Sequence, residues 1–347
     1  MRRYRASVVA VALTGCLMLP SAAGAQDAVS ATLSVLAGPV EHTAAGAGGT
    51  EPGYDGMNLA EGDRIKTGPT GVALITFLNG TTVTVLSDSD VTVKQAAPPR
   101  GPSVIRLLIN AGRVWARVMQ VAGVRSSLAL ESNEYAATAH DGLIGAERGA
   151  FGFICWSRRG TVWMTNSSGQ SEAVVMAGQK ARGRPGLPTT PEPFAPSASM
   201  LEISASGPAL PLVRMPDGRL AAGFLAEDVE MNQVFDSLTE ARRGPRWLVE
   251  VPGGQPQPYT LVLTGAGAGP FKVRIAARYA GFTVHRHEIT GTIAPGERLY
   301  THITVDVKGE EPTTARVRAA SVEALRVWDQ AEPVVATPAA PRRPGTN

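Results

Sequence analysis

The feature that most constrains this chain is a repeated pattern. Four to eight residues of Val, Ile, Leu and Thr are followed by a break at Gly, Asn or Pro. Such runs are short for helices, and their β-branched side chains fit a pleated surface. The sharpest instance is Gly71-Val72-Ala73-Leu74-Ile75-Thr76-Phe77-Leu78, then Asn79-Gly80, then Thr81-Thr82-Val83-Thr84-Val85-Leu86. Asn-Gly between two such runs predicts a hairpin with a type I′ turn, since both turn residues must take positive φ. On its second strand Val83 and Val85 share one face, and Thr82 and Thr84 the other.

The pattern recurs at 104–109, 113–118, 128–131, 150–156, 160–165 and 173–176. Turns are expected at Asn110-Ala111-Gly112, Glu147-Arg148-Gly149 and Asn166-Ser167-Ser168-Gly169. It returns at 259–264, 271–275, 282–289 and 302–307, a spacing that predicts a second unit of β-sandwich type. Residues 183–200 are Pro-rich and read as a semi-rigid linker. Residues 331–347 have little to bury and read as a disordered tail. The Gly/Ala-rich stretch 43–53 is expected to be a mobile loop. One short helix is expected between the units, because Met231, Val234, Phe235 and Leu238 fall at i, i+3, i+4 and i+7 before Gly244-Pro245. The expected division is therefore a leader at 1–25, a first β domain at 30–182, a linker at 183–200, a β-sandwich domain at 201–326 and a tail at 331–347.

The leader has a basic start (Arg2, Arg3, Arg5), an apolar run from Ala6 to Leu19, and Ala23-Gly24-Ala25 before Gln26. That is the layout of a secretory signal cleaved after Ala25, which places the mature chain in the periplasm or outside the cell. Leu13-Thr14-Gly15-Cys16 also resembles a lipoprotein box, and a lipid anchor on Cys16 is the minor alternative. Removing the leader takes three of the 33 basic residues and none of the 30 acidic ones, so the mature chain is formally neutral. Neutrality argues against a nucleic-acid binder, which relies on a net basic surface. No later stretch is long and apolar enough to read as a transmembrane segment. Only Cys155 remains, in Phe153-Ile154-Cys155-Trp156, where it reads as a small buried side chain without a pairing partner.

An ordered series of motifs carries a family resemblance. Glu61-Gly62-Asp63-Arg64-Ile65-Lys66-Thr67-Gly68 precedes the apolar strand, Asn79-Gly80-Thr81 follows it, and the segment Val83 to Asp90 comes next. Leu107 to Val118 with a turn at Gly112, then Gly160-Thr161-Val162-Trp163-Met164 and Ala177-Gly178-Gln179, complete it. Over residues 30–185 the chain resembles the FecR-type extracytoplasmic domain, which implies an antiparallel β fold. Where that family carries Val-Arg-Gly-Thr, this chain has His140-Asp141-Gly142-Leu143. The resemblance therefore carries over no partner through that segment. No cytoplasmic segment and membrane span precede the domain in this sequence, so an exported stand-alone member is expected. Residues 208–307 carry a weaker likeness to the Gly-rich, Ig-like β-sandwich appended to many exported bacterial proteins. In the motif, Gly62, Asp63, Gly68, Asn79 and Gly80 are read as turn formers, with Asp63 bonding nearby amides.

No G-x-S-x-G and no phosphate-cradling G-x-x-x-x-G-K-[ST] occurs. The one metal-like constellation is His285 and His287, two apart on a strand, with His302 on a second strand. Against it stands the expectation that all three lie on a solvated face. Trp115, Trp156 and Trp163 could form a sugar-stacking platform, but each lies in an apolar strand, which favours core packing. The expectation is an exported non-enzymatic protein without a cofactor, binding or sensing an envelope protein or glycan. The alternatives are a cell-wall or polysaccharide-binding accessory protein and a hydrolase using scattered carboxylates.

Overall fold

The computed structural model describes residues 31–96, 103–120, 126–194, 199–253, 257–279, 282–306, 316–319 and 326–327. The leader with Cys16 and the tail at 331–347 lie outside the described residues. The protein is all-β, with no helix among the described residues and therefore none able to cross a membrane.

The first unit is two sheets around one core, and a single 16-residue strand, Ser103–Val118, belongs to both. Its first half pairs in parallel with Ser126–Glu131 and antiparallel with Asp90–Gln95. Its second half pairs with Thr82–Val85 on one side and Gly142–Gly149 on the other. The expected hairpin at Asn110-Ala111-Gly112 is thus a bend inside one strand. Gly112 sits at φ +84° there, and a Cβ would meet the Ser89 backbone at 2.5 Å. That glycine lets the strand change sheets rather than reverse.

One sheet continues through Gly142–Gly149, Gly152–Arg159 and Gln179–Gly183 to Glu192–Pro193. The Pro-rich stretch is thus stitched at Glu192–Pro193 to the first unit's sheet. The other sheet runs from Ser126–Glu131 through Tyr135–Ala139 and Val162–Asn166 to Ser171–Val175. The 43–53 stretch, expected to be a loop, forms a short strand at Glu51–Pro52 paired with Val40–Thr43.

The Val72–Phe77 and Thr82–Val85 hairpin is present, but its turn differs from the expected type. The Phe77 N–H donates to the Thr81 carbonyl, leaving a three-residue loop in which Gly80 alone has positive φ. The Asn79 side chain instead accepts from the Thr81 N–H and donates to Ser103 Oγ, which holds the loop without a left-handed Asn.

The second unit is again two sheets over one core. Leu238–Arg242, Arg246–Pro252, Ser199–Ser206, Gly269–Tyr279 and Phe282–Ile293 form one. Val229–Asn232, Ala221–Ala226, Ala209–Arg214, Tyr259–Gly265 and Arg298–Asp306 form the other, with Arg316–Ala319 and Arg326–Val327 both paired to the last of these. The expected helix is absent. Met231 lies in Val229–Asn232, Asp236 turns at φ +61°, and Leu238 opens the next strand. The helical spacing is a coincidence of three destinations, Met231 packing with Leu212, Ala221 and Val262. Val234 enters the second unit's own core, whereas Phe235 and Leu238 pack on the first unit.

Candidate functional site

The turn motif is a structural knot. Asp63 Oδ1 accepts the Ala45 N–H at 2.9 Å, and Oδ2 accepts the Ala60 N–H at 3.0 Å. His42 lies between Asp63 and Glu51, 3.1 and 2.9 Å from their carboxylates. Arg64 pairs with Asp90, which Asn110 also contacts. Burial opposes ionisation of Asp90, but the Arg64 and Asn110 hydrogen bonds outweigh it and hold its pKa below the usual value. The Gly68 N–H donates to the Pro39 carbonyl and its carbonyl accepts the Asp88 N–H, so the motif ties three segments together.

The three tryptophans divide. Trp115 and Trp156 are buried, but they stand on the outer face of their sheet, where Phe235 and Leu238 of the second unit and Phe194 of the Pro-rich stretch cover them. Phe235 meets Trp115 and Trp156 edge-on, with ring centroids 5.6 and 5.4 Å away. Gly145 lies beneath Trp156, since a Cβ there would sit 2.4 Å from the indole ring.

Around this aromatic contact runs a charge network. Arg159 grips Glu230 with both terminal nitrogens, at 3.1 and 2.8 Å, and donates to the Thr239 carbonyl at 2.6 Å. Arg117 reaches Glu230 at 3.4 Å, and Arg158 pairs with Asp236 at 3.2 Å and Glu250 at 2.8 Å. Burial raises the Glu230 pKa, yet Arg159, Arg117 and Thr239 outweigh it and hold that carboxyl below its ordinary range. Burial pulls the Arg117 guanidinium down. Three cations of one unit meeting three anions of the other makes a fixed, charge-matched joint. No local motif announces it, because Arg159 and Glu230 are 71 residues apart.

Trp163 is 39% exposed, on the outer face of the other sheet. Val174 lies directly across from it on Ser171–Val175, and Thr138 on Tyr135–Ala139. Met176 is exposed beside Thr161, and His140 packs on the Trp163 ring at 5.2 Å while contacting the Ser126 carbonyl through Nδ1. Farther across the same face come Ala129 and Arg106, the latter paired with Glu131. His140, the first residue of His140-Asp141-Gly142-Leu143, therefore lies beside this open face.

The candidate metal trio is not brought together. His285 and His287 pair across from Ala277 and Ile275, on the core-facing side of their sheet and not the expected solvated one. His302 stands in the other sheet, exposed, against Thr260 and Tyr300. Among the described residues no three His, Cys, Asp or Glu side chains cluster as metal ligands. Burial pushes the Cys155 thiol up to about 12, and its Sγ lies 3.8 Å from Met164 Sδ.

No protein-family profile matches the chain, and no curated protein does. Among solved structures, part of the chain is similar to two crystal structures described as a "putative anti-sigma factor from Parabacteroides distasonis ATCC 8503". Identity is 12% to one and 11% to the other, with a TM-score of 0.31 in both cases. The matched part is 38% of this chain and spans 59% of the length of each of those chains. At that level the likeness establishes neither a family nor an activity.

Proposed function

We propose that this chain is an exported, non-catalytic binding or sensing protein of the cell envelope, built on a FecR-like β domain followed by an Ig-like β-sandwich. The leader pattern and the ordered turn motifs support the export and the FecR-like reading. The observation that carries the binding reading is the open sheet face around Trp163. A large aromatic ring, a thioether and a valine stand in solvent on a sheet whose opposite partner layer is locked to the second unit. Solvated aromatic faces on rigid β scaffolds are where such domains make contacts. The test is capture and cross-linking from an envelope extract with the exported chain as bait. The expected result is a saturable partner lost on joint Trp163→Ala and Val174→Asp substitution. Equal capture by that variant refutes the assignment.

A polysaccharide ligand is the second reading. Thr138 lies directly across from Trp163 on the neighbouring strand, and the Thr161 hydroxyl lies two residues before it, on the exposed Met176. An indole face with nearby hydroxyls matches a sugar ring's apolar face and polar rim. A glycan array probed with the wild type and with Trp163→Ala decides it, since a Trp163-dependent hit is required.

A further inference from the structure

Two shallow cavities adjoin where four turns of the first unit meet, with volumes of about 440 and 360 Å³. Both are within the size range of ligand sites. They share Glu134, Tyr135 and Pro185, so they form one elongated groove. Its charge is polarised along that length. Arg148 and Arg184 line only the first cavity, and Glu172 only the second, with Glu134 between them.

These charges are largely unspent. Arg184 is exposed, and the sole described hydrogen bond of its side chain is a 3.4 Å contact from Nε to the Phe151 carbonyl. Arg148 approaches Glu134 only to 3.7 Å. Glu172 accepts from Asn166 Nδ2 at 2.7 Å and meets no cation among the described residues. This contrasts with the joint between the units, where every guanidinium is matched to a carboxylate. Apolar contact surface is also in place. Phe151 is 74% exposed on the cationic side, and Leu187 is 55% exposed on the anionic side. Between them the Tyr135 hydroxyl makes no hydrogen bond among the described residues. Burial, with Glu172 and Glu134 nearby, raises its pKa and keeps it a donor.

We propose that this groove binds a short extended peptide with a free C-terminal carboxylate, an apolar side chain at its end and a cationic residue upstream. The carboxylate meets Arg184 and Arg148, the end side chain lies on Phe151, and the cation meets Glu172 and Glu134. The shallow, open form suits an extended chain, whose own carbonyls take the Tyr135 donor. The proposal rests on the reading of this chain as a binding protein and names its ligand class at a second surface, away from Trp163.

The probe is the N-acetylated tripeptide lysyl-leucyl-phenylalanine, whose one cation is the lysine side chain, titrated into the full chain by calorimetry. Two control peptides carry a C-terminal amide or norleucine in place of lysine. Saturable binding is expected, weakened about fivefold or more by either change, as for the loss of one partly exposed charge pair. Arg184→Gln and Glu172→Gln, at exposed and half-buried positions, should leave circular dichroism unchanged while each reproduces one loss. Binding of the amide as tight as the acid, insensitivity to Arg184→Gln, or no saturable binding overturns the proposal. Envelope capture with Arg184→Gln separates the two readings. If capture persists while the tripeptide fails to bind, the groove assignment falls and the Trp163 face stands.

Discussion

Replacing Glu230 by Gln should uncouple the two units. The Glu230 side chain is 13% exposed and receives Arg159 at 2.8 and 3.1 Å, Arg117 at 3.4 Å and Thr239 Oγ1 at 3.1 Å. The amide keeps the shape but removes the charge, leaving the buried Arg117 guanidinium and the one-third-exposed Arg159 without a counter-ion. Breaking a fully buried pair costs about 3–5 kcal/mol. Arg159 keeps the Thr239 carbonyl and some water, so about 3 kcal/mol is expected here. At that cost, scanning calorimetry should show the transition lowered by roughly 6–12 °C, or split as the units part. The pH dependence follows from the same group. Its folded pKa lies below the ordinary 4.5, so its stabilisation is present above that value and fades as pH falls through the folded pKa. The wild type should therefore lose more stability on acidification than the Gln variant. A triple change of Arg117, Arg159 and Glu230 to Met should recover most of the loss, since it leaves no unpaired charge. A shift under about 1 °C on Glu230→Gln would refute the reasoning.

The remaining expectations use the same joint and its neighbours. Trp115→Ala should cost about 3–5 kcal/mol in denaturant titration, whereas Trp163→Ala should stay within about 0.5 kcal/mol; similar costs would contradict their different burial. Gly145→Ala puts a Cβ into the Trp156 ring and should increase protease cleavage within 183–200, a susceptibility that must not change if the joint is loose already. Asp63→Ala strips acceptors from two backbone amides and should cost about 2–3 kcal/mol; a neutral result would show that those bonds are dispensable. Cys155, with its thiol pushed up to about 12 and fully buried, should resist alkylation at pH 8 until the chain is unfolded. Fast native labelling would mean the core opens.

What local chemistry dictates was legible. Short β-branched runs gave strands at 72–77, 82–85, 126–131 and 259–265, because side-chain branching and alternation act over a few residues. Asp63 bonds one amide three residues away, at Ala60, but its second, at Ala45, is 18 residues off and was not legible locally. The misreadings arose where the deciding partner was distant. Asn110-Ala111-Gly112 looks like a hairpin turn until Asp90 is seen to pair with Ala111 before the glycine and Val85 with Val114 after it. Met231, Val234, Phe235 and Leu238 look like a helix face until they are seen to serve three separate apolar clusters. The groove was illegible as well, since Glu134, Arg148, Glu172 and Arg184 come from four separate segments with ordinary local surroundings.

The sequence by itself determined that the chain is pleated and glycine-punctuated, because those properties are set by each residue and its immediate neighbours. Only the tertiary structure decided which tryptophan meets solvent. Trp115 and Trp163 sit in equally apolar strands, both on outer sheet faces, and the second unit happens to close over one of them. Burial is a property of what packs opposite, and the residue that packs there, Phe235, is over a hundred positions along the chain from Trp115.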